Sequence, residues 1–172
     1  MNPVHRSVPV LIHDGRPVCG SLNILEYADE TWGGDGARRL LPSNPLQRAH
    51  ARFWADFVDQ KVFSTQTRFL KSKGEEKAAA KEELLDQLRS LEEVLGERTF
   101  FAGDEFGSLD AVVIPFSSMI HGYEQHGGFS LETECPNLMR WVRRCRERES
   151  VRSVLPDEDD MYELHKKWYG VE

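Results

Sequence analysis

Six histidines (His5, His13, His50, His121, His126 and His165) are the first candidates for acid–base or metal chemistry, and their spacing argues against both. Two ligands on one helical face stand four apart; the nearest pair here, His121 and His126, stands five apart. Cys19, Cys135 and Cys145 show no CxxC spacing and cannot all pair, so they read as reduced thiols, and no metal is expected. No nucleophile elbow supports a Ser-His-Asp set. Arg140, Arg143, Arg144, Arg146 and Arg148 alternate with Glu147 and Glu149, the pattern of a solvated helix face. Asp110 follows Ser108 and Leu109 at the start of an almost apolar helix. It is expected to be a structural N-cap whose carboxylate accepts N–H bonds from the first turn.

A richer set lies between Ser7 and Trp32. Val8-Pro9 is a candidate cis peptide, since proline lowers the cis penalty to about 0.5–1 kcal/mol. Proline also lacks an N–H, which can leave the backbone groups of Val8 for a ligand. Ser21 stands where a helix N-cap is expected. A hydroxyl there, beside free N–H groups and the positive end of the helix dipole, suits a carboxylate. The same residues equally describe a hairpin followed by a capped helix.

The elements that must position these residues are short. Val8, Val10, Leu11 and Ile12 predict a strand, Asp14-Gly15 a hairpin turn, and Pro17-Val18-Cys19 a second strand. Leu22, Ile24, Leu25 and Ala28 then mark a helix face. Met1 to Arg6 lead straight into the first strand. Two strands and a helix cannot bury their own apolar faces, so they must lean on the rest of the chain or on sheet lying outside it.

That rest is helical. After a glycine-bearing linker, which Leu40 and Leu41 suggest is pinned down, Asn44-Pro45 opens a predicted helix of about 28 residues with no breaker before Gly74. A second runs from Glu75 to Leu95, with Leu84, Leu85, Leu88, Leu91, Val94 and Leu95 as its buried stripe. A third spans Leu109 to His126, with Pro115 as a possible kink, and a fourth starts at Pro136. A short helix near Val151–Leu155 and a last segment from Asp160 to Tyr169 finish the chain. The 172 residues carry a net charge of −7 and have no apolar run of membrane-spanning length. Neither nucleic acid nor membrane is an expected partner, and the cytosol is the expected compartment.

The blocks NPVHRSVPVLIHDGRPVCGSLNILEYADETW, RFWADFVDQKV, SKGEEK, FFAGDEFGSLD and ECPNLMRWVRRC together resemble the plant tau-class glutathione transferases over essentially the whole chain. The resemblance implies residues 1–33 as part of a thioredoxin-like domain, 34–44 as a linker, and 45–172 as an all-helical domain. It implies a homodimer that conjugates glutathione, a co-substrate rather than a cofactor, to hydrophobic electrophiles.

By position in the family pattern, Val8 and Pro9 form the cis-proline turn that meets the cysteinyl part of glutathione, and Ser21 binds the γ-glutamyl carboxylate. Phe63, Thr67, Leu70 and Met119 would line the acceptor pocket with Arg68 nearby, and Asp59 would face the dimer cleft. Two departures stand out. The family's thiol-activating serine would precede residue 1, so no catalytic residue is assigned. Gly20 stands where the family usually carries the glutamate that holds the γ-glutamyl amine. Reduced activity, or service as a non-catalytic carrier of apolar ligands, is the corresponding expectation.

Overall fold

The computed structural model describes residues 2–34 and 39–170, so residues 35–38 of the expected linker lie outside the described residues. Strands β1 (Val10–His13) and β2 (Arg16–Cys19) form an antiparallel hairpin in the register Val10↔Cys19 to His13↔Arg16. Asp14 and Gly15 both have positive φ (48° and 73°), the backbone a two-residue type I′ turn requires. The ladder starts at Val10, two residues later than the apolar run, because Pro9 has no N–H to give it. Among the described residues the sheet has only these two strands, which is why Pro17 is tolerated inside β2.

Helix α1 (Ser21–Trp32) begins one residue earlier than expected. Its N-cap is Gly20, and Ser21 is the first helical residue. The chain leaves β2 through φ 89° at Gly20, a conformation that glycine adopts freely and a serine would not. Near the other end, Asp29 is buried, and its carboxylate accepts the N–H groups of Leu40 (2.5 Å) and Leu41 (3.1 Å). This pair of bonds is what pins the linker.

The helical body opens with α2 (Pro45–Phe57), capped by Asn44 Oδ1 on the N–H groups of Leu46 and Gln47. The expected 28-residue helix is continuous to Lys71 but not uniform. A π-helical turn (Val58–Val62) precedes α3 (Phe63–Lys71), and the Phe63 N–H reaches back to the Val58 carbonyl. Val58 and Val62 both face the core, while Asp59, Gln60 and Lys61 face solvent. α4 (Gly74–Leu95) packs along α3 with the leucine stripe inward and ends at Gly96, φ 56°.

The expected third helix is three pieces: α5 (Ser108–Val113), a 3-10 segment (Ile114–Met119) and α6 (Ile120–Gly127). Pro115 lacks the N–H that a continuous α-helix would use, and the tighter segment absorbs the break. α7 (Leu131–Glu134), which sequence reasoning missed, leads into α8 (Pro136–Glu147), α9 (Glu149–Arg152) and α10 (Glu158–Tyr169).

Asp110 is structural, but it is the third residue of α5 and not its N-cap, a position Gly107 takes. Fully buried, its carboxylate accepts from Gly107 N (2.8 Å), Phe101 N (2.9 Å) and Trp141 Nε1 (2.7 Å). It therefore ties the loop before α5 to α8. Burial raises its pKa, against the opposing effect of those bonds.

Candidate functional site

Hairpin register brings the sequence-predicted residues together. Because Val10 faces Cys19, the next residues outward are Pro9 and Gly20, and the Gly20 N–H donates to the Pro9 carbonyl (3.3 Å). Val8-Pro9 is cis, as expected. Val8 is exposed, and its backbone N–H and C=O make no hydrogen bond among the described residues. Directly across the end of the ladder, α1 begins.

That helix start is chemically bare. Ser21 is exposed, no side chain caps the first turn, and the turn holds no acidic residue. The first N–H groups and the positive dipole end are thus unsatisfied, the arrangement that accepts a carboxylate. Asn23 Nδ2 is turned back onto the Cys19 carbonyl (3.1 Å), bracing the turn from strand to helix. At Gly20 an added Cβ would meet only Asn23 Nδ2, at 3.5 Å, so space is not what forbids a side chain there. The cost would come from φ 89°.

The N-terminal unit is held to the helical body beside this site. Arg52 of α2 makes a two-pronged ion pair with Glu26 of α1 (2.7 and 2.8 Å), and a cavity of about 190 Å³ lies between the two helices, walled by Leu22, Leu25, Ala51 and Ala55.

Residues expected to line an acceptor pocket fall into two kinds. Phe63 is exposed at the start of α3, and Thr67 donates its hydroxyl to the Phe63 carbonyl (2.8 Å), so the two share a face. Leu70 is buried within the core, and Met119, at the end of the 3-10 segment, packs partly against it. Arg68 is exposed and paired with Glu83 of α4, whose pKa the guanidinium pulls down. Asp59 sits on the outer side of the π turn, bonded by Gln60 (2.9 Å).

Beneath Thr67 and Arg68 lies a polar seam that sequence reasoning missed. Thr65 donates to Glu83 (3.1 Å) and accepts from Gln87 (2.9 Å), while Tyr123 donates to Gln66, all between α3, α4 and α6. Gln87, a polar residue inside a leucine stripe, was the available signal. Asp29 carried none beyond its helical position. Among the described residues no group of three His, Cys, Asp or Glu could hold a metal ion, and no helix is long and apolar enough to cross a membrane.

These features define a small α/β unit carrying a cis-proline turn and a bare helix start, set on an all-helical domain. The model of the glutathione S-transferase C-terminal domain matches residues 50–149. The chain is 48% identical over its whole length to glutathione S-transferase U25 of Arabidopsis thaliana, covering 78% of that protein. It is 46% identical to glutathione S-transferase 3 of Glycine max, over 95% of this chain and 74% of that one. Rice GST1, solved in complex with glutathione, superposes with a TM-score of 0.91 at 43% identity, over 99% of this chain and 79% of the other. The tau-class enzyme of mango, Mangifera indica, gives 0.87 at 33% identity, over 96% and 78%. The chain belongs to the glutathione S-transferase family, and its likeness runs to the tau class of plants.

Proposed function

We propose that this chain is a cytosolic, homodimeric glutathione transferase that joins the sulfur of glutathione to hydrophobic electrophiles. Residues 1–33 then belong to the thioredoxin-like unit, 34–44 to the linker, and 45–172 to the helical domain. In the reaction the thiol gives its proton to solvent and the thiolate attacks an electrophilic carbon; either a leaving group departs with the bonding pair, or a double bond is saturated and its second carbon takes a proton back from solvent. A thiol of ordinary pKa about 8.5 is mostly protonated at neutral pH, so the anion must be favoured. The residues of this chain are given binding and orienting roles in that scheme, and none is given the thiol-activating hydroxyl.

One observation carries the reading: unpaired Val8 backbone groups stand beside the bare start of α1. Val8 pairs with the cysteinyl backbone of glutathione, and Pro9 shapes the turn. Ser21 and the first N–H groups of α1 take the γ-glutamyl carboxylate, with Gly20 contributing only backbone. Phe63 and Thr67 form the open part of the acceptor wall, Leu70 and Met119 its base, and Arg68 its polar edge. Exposed Leu46 and Phe53, two turns apart on α2, supply apolar surface for a partner protomer to cover, with Asp59 toward the cleft.

Calorimetric titration of glutathione into the chain tests this. Ser21→Ala removes a hydrogen bond to a carboxylate and is expected to weaken binding about tenfold or more. Folding should be untouched, because the Ser21 hydroxyl caps nothing. Equal affinities of variant and parent, or no binding by the parent, would overturn the site.

A further inference from the structure

The face where α10 meets α6 carries three buried imidazole nitrogens without a hydrogen-bond partner among the described residues, on two rings. His165 of α10 is 1% exposed, and neither of its ring nitrogens has a hydrogen-bond partner. Nε2 of His126, on α6, is likewise buried and unpartnered. Aromatic rings surround them. Tyr162 lies 5.4 Å from His126, and Tyr169 and Trp168 lie 5.6 and 6.4 Å from His165. Gly122 brings α6 so near that a Cβ there would touch His165 Nδ1 and the Tyr162 ring, each at 3.6 Å. Such a site suits neutral imidazole and is hostile to imidazolium.

We infer that the α6–α10 contact is a proton-operated latch: with His126 and His165 neutral it holds α10 down, and protonating them releases it. The surrounding charges offer little rescue. On α10 itself, Asp159 lies toward His121 (3.8 Å), Glu163 is paired with Lys166 (2.8 Å), and Lys167 adds a further cation. From α6, Glu124 is bonded to the Leu131 N–H (2.8 Å). From α3 and α4 come Lys71 over the Tyr169 ring, Lys77 over the Phe69 ring beside His126, and, on the same pocket wall as His126, Glu82, whose carboxylate already has Lys81 as its cation (3.6 Å). The 3-10 segment has no charged residue, and Arg146 of α8 pairs with Glu158 at the start of α10. His121, half-exposed, faces Asp159 at the rim of the contact (3.8 Å).

Burial lowers the pKa of His165, and that of His126 falls through burial first and then through Lys77, His165 and Lys166. The sign follows. Well above about pH 6.5 both histidines are neutral whether α10 is docked or free. Toward and below that pH the undocked state, with both rings open to solvent, takes up protons first, so docking weakens until the lowered pKa values are reached. Each histidine shifts the balance by up to about tenfold per pH unit in that window.

Hydrogen exchange on the intact chain between about pH 7.5 and 5.5, corrected for the intrinsic pH dependence of exchange, tests the latch. Protection of α10 amides is expected to fall tenfold to a hundredfold relative to α4 and α8, and the fall should vanish in a His126→Phe/His165→Phe variant. A parallel change in α10 and α4, or a fall that survives in the variant, would overturn it. Should the variant not fold, NMR titration of the two rings in the parent decides: midpoints below about 6.5 support the latch, and midpoints at or above it refute it.

Discussion

The two regions of this molecule are held together by different physics. Every residue of the buried hydrophobic cluster lies between Ala55 and Val151, in the helical body. Up to Gly34, the described residues include only two buried ones, Asp29 and Gly33. Val4, Val8, Ile12 and Trp32 are apolar and exposed. The body is a packed interior. The N-terminal unit is a hairpin and one helix fastened by Asp29, the Glu26–Arg52 pair and the partial burial of Leu22. The unpaired Val8 backbone groups and the uncapped start of α1 sit on the less buried region, where such groups can stay open to a ligand.

Substitutions can break that contrast. Asp110→Ala should be the most damaging, because it strands three donors in the core, each bond worth about 1–3 kcal/mol when its partner is left unsatisfied. Denaturant unfolding of the whole chain should lose about 3 kcal/mol or more. Asp29→Ala strands the two linker N–H groups, with an expected cost of about 2 kcal/mol. Its signature is local: faster hydrogen exchange in α1 and the hairpin at a nearly constant rate in α4. Uniform loss across both regions would show that they unfold as one unit.

Asn44→Ala removes the α2 cap for about 1 kcal/mol, read as a shift in thermal midpoint. Arg52→Ala should change the midpoint least of all, since the ion pair is solvent-screened. In the unmodified chain, amides of the hairpin and α1 should exchange faster than those of α4 and α8. Equal protection would erase the contrast altogether.

Much of the architecture was readable from residue order. The Asp14-Gly15 turn, the Asn44-Pro45 helix start, the leucine stripe of α4 and the disruption at Pro115 each depend on local chemistry, and each is present. What escaped depends on distant partners. Asp29 looks like any exposed helical aspartate until Leu40 and Leu41 fold back onto it. Asp110 was recognisably structural, but its bonds to Phe101 and Trp141 come from other elements, so its position in the helix was misjudged. The family blocks named Val8, Pro9 and Ser21, and the hairpin register explains why they meet.

The π turn at Val58–Val62 gives the long helix a second property. Each residue of an α-helix advances 1.5 Å and about 100° around the axis. A wider turn therefore resets the angular phase of everything after it. Phe63 and Thr67 owe their heading to that offset as much as to their side chains. Removing one residue between Val58 and Val62 would let the helix close into regular α geometry and swing α3 around its axis, moving the proposed acceptor wall with no change in its composition.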